Sequence, residues 1–254
     1  MIAGAGNHLA LSGVKVSFSG FLAVAGLDLH VGRGELRCLI GPNGAGKTTA
    51  LDLICGKVKP TEGDISFNGV SLNRLKEYEI ARAGIGRKFQ VPSVFKELTV
   101  LENLHIAHSR QTGVLRNLAV FGERSEMEGL EKLAEFVGLQ DELETAAAYL
   151  SHGQTQWLEI ALLLAQDPQL ILMDEPTAGM TTQETDKTAN LFDRLKGQHT
   201  VIVVEHDMGF VRQVASIISV MHQGRLLAEG TIAEIEDNPL VREAYLGKKG
   251  ISDA

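Results

Sequence analysis

The sequence is poor in cysteine: Cys38 and Cys55 are the only two, both in apolar stretches, and they form neither a C-x-x-C pair nor a cluster with histidine. A disulfide framework and a cysteine-rich metal site are excluded, and both thiols are expected to be reduced core residues. Proline is also scarce, with 6 residues beside 27 glycines, and the 44% hydrophobic and 22% charged content is that of a folded protein, neither disordered nor collagenous. Positive charge is short, 24 Lys and Arg against 32 Asp and Glu, for a net charge of −8. Bulk attraction to nucleic acid or anionic lipid is thereby disfavoured, and any phosphate binding must be local. Long apolar runs are missing: Leu170 to Met173 and Val201 to Val204 are short, so the chain is not expected to cross a bilayer. Met1 to Asn7 lack the basic start and apolar segment of a secretory signal, which predicts a cytoplasmic address. There is no internal repeat and no low-complexity segment.

With 254 residues there is room for one large domain or a core with a substantial insertion. From Val14 to Ile40 the pattern is strand-like, with Val14, Val16 and Phe18 alternating, then Leu27, Leu29 and Val31, a Gly32 to Gly34 turn and the apolar run Leu36 to Ile40. Thr48 to Cys55 reads as a helix closed by Gly56, and Ile65 to Phe67 as a strand entering an Asn68-Gly69 hairpin. Helical character follows at Glu97 to His108 and at Ser125 to Val137, the second opened by a Ser125-x-x-Glu128 capping box and closed at Gly138. Leu170 to Met173 and Val201 to Val204, separated by a helical stretch, have the form of buried parallel strands with a crossover helix. The fold class expected is α/β with a helical insertion.

Gly41-Pro42-Asn43-Gly44-Ala45-Gly46-Lys47-Thr48 matches G-x-x-x-x-G-K-[ST] in full and lies between an apolar strand and a helix. Glycines let backbone N–H groups turn inward around phosphates, and the helix N-terminus adds partial positive charge. Lys47 would reach the terminal phosphates and the Thr48 hydroxyl would serve Mg²⁺. Leu170-Ile171-Leu172-Met173-Asp174-Glu175 is an apolar strand ending in two carboxylates, which suits Asp174 to the metal through water and Glu175 to the role of general base beside the γ-phosphate.

Leu150-Ser151-His152-Gly153-Gln154, with Ser151 lying 23 residues ahead of Asp174, resembles the signature motif of ATP-binding cassette (ABC) ATPases. As a local feature, Ser151 and Gln154 form an S-x-x-Q capping box for a helix over Thr155 to Gln166, but a glycine in its first turn suits a close backbone approach to a ligand. The resemblance spans about residues 9 to 247. It implies a P-loop NTPase (RecA-like) core with an antiparallel β subdomain, over residues 9–89 plus 168–247, and an inserted α-helical subdomain over 90–167. It implies ATP and Mg²⁺ as ligands, with Gly41 to Thr48 and Thr49 around the phosphates and Thr48, Gln90 and Asp174 near the metal. Ser151, Gly153 and Gln154 would close over the γ-phosphate held by an opposite subunit. Gln90 resembles the hinge glutamine and His206, 31 residues beyond Glu175, the switch histidine; Phe18, with Phe21 as alternate, resembles the aromatic that stacks on adenine. Two positions depart from the pattern: His152 replaces the first signature glycine, and Thr181 stands where the D-loop usually carries Asp.

Two stretches, Gly84 to Phe95 and Leu150 to Ile160, are similar to one of the two ATPase subunits of urea and short-chain amide importers, with an ATPase of the neighbouring branched-chain amino acid importers as the alternative. The partners implied are integral membrane permease subunits, docked near Gln90 to Arg116, and a second ABC ATPase. A heterodimer and, in isolation, a homodimer both stay open. Nucleic acid is not expected as a partner, nor direct contact with the transported solute, and the location implied is the cytoplasmic side of the membrane. A soluble cassette acting in translation or DNA repair is disfavoured, because such members carry tandem cassettes or a long coiled-coil insertion. A small-molecule kinase would leave the signature helix and His206 without a purpose.

Overall fold

The computed structural model describes residues 8–88, 94–109 and 123–246. Two sheets organise them. Strands β1 (Leu9–Phe18), β2 (Phe21–Val31), β4 (Glu62–Phe67) and β5 (Val70–Ser71) form an antiparallel sheet in the order β2-β1-β4-β5. Strands β3 (Leu36–Ile40), β6 (Ile85–Arg87), β7 (Leu170–Asp174), β8 (Thr200–Val204), β9 (Ile217–His222) and β10 (Arg225–Gly230) form the second, in the order β10-β9-β3-β8-β7-β6. It is parallel apart from β10, which runs antiparallel to β9. The Asn68-Gly69 turn forms as expected, with φ of 50° and 77° in the left-handed region that a tight hairpin requires.

Alternation along the parallel strands places a core on each face of this sheet. Leu36, Cys38, Ile40, Ile171, Met173, Val201 and Val203 face one cluster, which takes in α5 (His152–Leu164), α6 (Thr182–Leu195) and α7 (Met208–Val214). Leu39, Leu170, Leu172, Ile202 and Val204 face the other, shared with α1 (Lys47–Ile54) and the inner face of the antiparallel sheet. Strands covered on both faces have no polar side to display, which is why β7 and β8 read as continuous apolar runs. Cys38 is fully buried and its thiol is pushed up to about 12 by desolvation; Cys55 is half-buried, and both are free. Arg37 is buried in β3, where its guanidinium meets Glu35, Ser219 and Glu229 and donates to His30 O at 3.0 Å, tying the two sheets together. Helix α2 (Glu77–Arg82) precedes β6, and α8 (Ile232–Asp237) and α9 (Pro239–Leu246) follow β10, capped by Thr231 and Asn238.

Between β6 and β7 the chain runs through α3 (Val100–Ser109), α4 (Glu123–Val137) and α5, which pack on one another. Besides α1, which starts at Lys47 rather than Thr48, three helix starts differ from the sequence reading. Helix α3 begins at Val100 rather than Glu97, because Thr99 caps it: its hydroxyl accepts from Glu102 N–H at 3.1 Å while Glu102 accepts from Thr99 N–H at 2.7 Å. Helix α4 begins at Glu123, so Ser125 sits inside its first turn and not at its cap. Helix α5 begins at His152 and ends at Leu164, earlier than a Thr155 to Gln166 helix, because the Ser151 and Gln154 box places the cap at Ser151. Its Trp157, Ile160 and Ala161 are buried, with Leu164 half-buried at the edge.

Candidate nucleotide site

The loop from Gly41 to Gly46 links β3 to α1. Gly41, Gly44 and Gly46 have φ of 151°, 78° and 100°, values that L side chains rarely adopt. Gly41 has a second reason to be glycine, since a Cβ there would overlap the Met221 carbonyl of β9. The loop is braced from below: Ala45 N–H donates to Pro42 O at 3.1 Å, Gly224 N–H to Ala45 O at 2.9 Å, and Ala25 N–H to Gly224 O at 2.8 Å. The turn after β9 thus fixes the loop to the antiparallel sheet.

Lys47 opens α1 and is 6% exposed. Its Nζ folds back to donate to Gly41 O at 2.7 Å and Pro42 O at 3.1 Å, so the ammonium lies within the curl of the loop. Burial pulls its pKa below the usual lysine value, opposed by the charges of Asp174 and Glu175. A cation desolvated in this way gains from an anionic ligand. Thr48 and Thr49 follow on the first turn of α1, where helix N–H groups lack intrahelical partners.

Asp174 ends β7 beside Thr48. Burial pushes its carboxyl above the usual range, with the Thr48 hydroxyl opposing. Its Oδ2 is buried without a hydrogen-bond partner among the described residues. A desolvated carboxylate oxygen and a hydroxyl are hard donors, and a magnesium ion that also takes phosphate oxygens and water needs few protein ligands. The residues present fit Mg²⁺ held jointly with a nucleotide; among the described residues no cluster of three or more His, Cys, Asp or Glu offers a metal cage.

Glu175 has φ of 48°, a left-handed conformation that costs a non-glycine residue about 1–3 kcal/mol. Its N–H donates to Val204 O at 2.9 Å, continuing the β7 to β8 pairing one residue past Asp174. The half-exposed carboxylate turns toward His206, whose Nε2 lies 3.1 Å from Oε1. Beneath them lies Glu205, which sequence reasoning missed. Buried at 3% exposure, it accepts from Thr177 N–H at 3.1 Å, Thr177 Oγ1 at 2.6 Å, His206 N–H at 2.9 Å and Asp207 N–H at 3.3 Å. One carboxylate therefore holds the loops after β7 and β8 together. The available signal was a carboxylate closing the apolar strand Thr200 to Val204. Asp207 caps α7, accepting from the N–H groups of Gly209 and Phe210.

The other expected residues stand apart from this cluster. Ser151, Gly153 and Gln154 lie at the α5 N-terminus, and among the described residues no hydrogen bond or ion pair joins them to the glycine-rich loop. Phe18 and Phe21 pair across the β1–β2 turn and are 46% and 67% exposed, an open aromatic edge with no core role. Gln90 lies outside the described residues, as does much of the segment from Gln90 to Arg116. Lys88, just before it, is a second residue that sequence reasoning missed: its Nζ lies 3.2 Å from Glu159 Oε2 and also meets Gln156, anchoring the end of β6 to α5.

A glycine-rich strand-to-helix loop around a lysine, with a strand-end Asp and Glu beside it, defines a P-loop nucleoside triphosphatase. Residues 24–178 match the family described as "ABC transporter", and residues 225–250 the one described as "Branched-chain amino acid ATP-binding cassette transporter". The chain is 39% identical to the high-affinity branched-chain amino acid transport ATP-binding protein BraF of Pseudomonas aeruginosa, over 94% of this chain and 98% of that protein. Its fold matches the ADP conformation of MJ1267, an ATP-binding cassette of an ABC transporter, with TM-score 0.83 and 32% identity over 95% of this chain and 99% of that one. It also matches the dimeric post-hydrolysis state of the cassette MJ0796 bound to ADP and Pi, with TM-score 0.73 and 27% identity over 88% and 98% of the two chains.

The chain belongs to the ABC transporter ATP-binding family, and the α/β core with its antiparallel sheet is that family's fold. It is an ATPase subunit that uses ATP with Mg²⁺ to power transport. Among the described residues no helix is long and apolar enough to cross a membrane.

Proposed function

We propose that this chain is one of the paired ATPase subunits of an importer of the branched-chain amino acid type, seated against integral permease subunits on the cytoplasmic face of the membrane. The observation that carries the ATPase reading is the meeting of Lys47, Thr48, Asp174, Glu175 and His206 at the ends of β3, β7 and β8. In this reading the loop from Gly41 to Gly46 and the first turn of α1, including Thr49, cradle the triphosphate, and Lys47 leaves the loop carbonyls for the terminal phosphates. Thr48 and Asp174, with Gln90, would hold Mg²⁺, which supplies charge neutralisation between the β- and γ-phosphates. Glu175 accepts a proton from the attacking water and His206 keeps that carboxylate oriented. Phe18 or Phe21 offers its exposed ring to adenine.

Among the described residues no hydrogen bond or ion pair joins Ser151, Gly153 or Gln154 to this chain's own loop, which suits a site completed by a second cassette. ATP would then stabilise the closed pair and its hydrolysis would release it, the differential affinity that any ligand-driven switch requires. Ser151→Asp tests this directly. Aspartate keeps the α5 cap but sets a carboxylate against a partner's γ-phosphate, so turnover of the assembled transporter should collapse. Full turnover in that variant would remove the shared site.

For the solute, the C-terminal match and the likeness to BraF, a branched-chain amino acid transport protein, support branched-chain amino acids as the first reading. The second reading, urea and short-chain amides, rests on the stretches Gly84 to Phe95 and Leu150 to Ile160. The deciding experiment reconstitutes the chain with its permease and binding-protein partners and follows ATP turnover with leucine, isoleucine or valine in one arm and urea or acetamide in the other. Stimulation confined to the amide arm would overturn the first reading.

A further inference from the structure

Helix α5 starts against the loop that follows β7 in its own chain. His152 Nε2 stands 3.0 Å from Ala178 O, and its ring lies over Gly179. A Cβ on Gly179 would come within 3.0 Å of that nitrogen, so the loop leaves just enough space for the imidazole. One residue on, a Cβ on Gly153 would overlap the Glu184 carboxylate. Glu184 is engaged in capping α6, accepting from Thr181 N–H at 2.8 Å and from Thr181 Oγ1 at 2.9 Å. A turn further along α5, Trp157 Nε1 donates to Thr188 Oγ1 of α6 at 2.9 Å. The N-termini of α5 and α6 therefore meet as one block, and His152 is the side chain that crosses to the turn at Ala178–Thr181.

The carbonyl of Ala178 can only accept, so Nε2 carries the proton in this contact. We propose that His152 is a positioning residue: by donating to Ala178 O it locks the start of α5 to the 178–181 turn, so that both present themselves to a second cassette as one rigid face. Glycine, the residue that His152 replaces in the signature pattern, has no side chain with which to make this bond. Small displacements of groups that bind a transferring phosphoryl lower the rate steeply, so a bond between two loop segments acts on turnover without touching the nucleotide. The proposal rests on the reading that Ser151 and Gly153 close over the second subunit's triphosphate.

The test compares His152→Ala, His152→Asn and His152→Gln in the assembled transporter, measuring kcat and KM for ATP. Fluorescent-nucleotide affinity and the thermal midpoint are measured on the full chain alone. Glutamine carries an amide nitrogen at the reach of the imidazole Nε2, whereas asparagine is one bond too short. The loss of one directed hydrogen bond predicts that Ala and Asn lower kcat about 3- to 10-fold while Gln restores it, with nucleotide affinity of the chain alone unchanged in all three. Wild-type kcat in His152→Ala would overturn the proposal, and so would rescue by Asn equal to rescue by Gln. If Ala lowers the thermal midpoint, the Gln and Asn pair still decides at matched stability. Ser151→Asp separates the two layers: activity retained there sinks the shared site itself, whereas activity lost there but kept in His152→Ala sinks the role of His152 alone.

Discussion

His206 Nε2 stands 3.1 Å from Glu175 Oε1, although 31 residues separate the two in the chain. The contact is a product of the parallel register, in which Asp174 of β7 lies opposite Val204 of β8, so the residues that leave the two strands emerge side by side. Glu205 then accepts from backbone on both exits and keeps them there. This places an exposed carboxylate, oriented by an imidazole, at the mouth of a loop built for phosphate.

Glu175→Gln keeps the shape and the N–H to Val204 O but removes the group proposed to take the proton. General-base catalysis contributes about 10²- to 10⁴-fold, so turnover should fall by at least about 100-fold. ATP binding should persist and ATP-bound dimers should accumulate on size-exclusion chromatography. Normal phosphate release from this variant would refute the assignment of Glu175.

Lys47→Ala acts at the binding step. Charge-assisted hydrogen bonds are each worth about 1.5–3 kcal/mol, which converts to a loss of nucleotide affinity of roughly 10- to 150-fold. A fluorescent-nucleotide titration reads this directly, and an unchanged dissociation constant would mean that the ammonium does not leave Gly41 O and Pro42 O for phosphate.

Lys88 and Glu159 are 9% and 7% exposed and face each other at 3.2 Å between the end of β6 and α5. Removing one member of a buried pair strands the other charge, at a cost of about 3–5 kcal/mol, while replacing both by apolar residues of similar volume is often near neutral. Lys88→Met alone should therefore lower the urea midpoint far more than Lys88→Met combined with Glu159→Met. A loss in the double variant equal to the sum of the losses in Lys88→Met and Glu159→Met alone would show that the two charges are not coupled.

His8 is 2% exposed and packs edge-on against Phe67, with ring centroids 4.6 Å apart. Burial lowers its pKa below 6.5, with the Gln169 backbone and the Asn68 side chain opposing. The unfolded chain then binds a proton more readily than the native one, so the contribution of His8 to stability is full above about pH 6.5 and is lost as pH falls toward the depressed native value. Urea unfolding at pH 7.5 and pH 5.5 should show a smaller pH-dependent loss in His8→Leu than in the wild type. An identical loss in both would place the native pKa of His8 at its ordinary value.

Local chemistry in this chain was readable from the sequence because its cause lies within a few residues. The glycines of the P-loop and the capping box of Ser151 and Gln154 are short-range patterns, and both appear in the fold. The starts of α3 and α4 were misjudged for a related reason. Several polar residues near each start could serve as caps, and at α3 the choice fell to Thr99, whose neighbour Val100 donates to Thr145 O on a distant segment. Glu205 and Lys88 carried no such pattern, since the partners that join them to other segments, Thr177 for Glu205 and Gln156 and Glu159 for Lys88, lie far away in sequence.

Sequence alone determined that a glycine-rich turn would form between a buried strand and a helix, that two carboxylates would close a second apolar strand, and that Ser151 and Gln154 would form a capping box. These outcomes follow from backbone conformations and side-chain periods that act over one or two turns of chain. Only the tertiary structure decided that Glu175 meets His206, that Glu205 ties their loops, and that His152 reaches Ala178. Each of those contacts requires segments far apart in the chain to be brought into register by strand pairing and helix packing, and no short-range preference encodes that register.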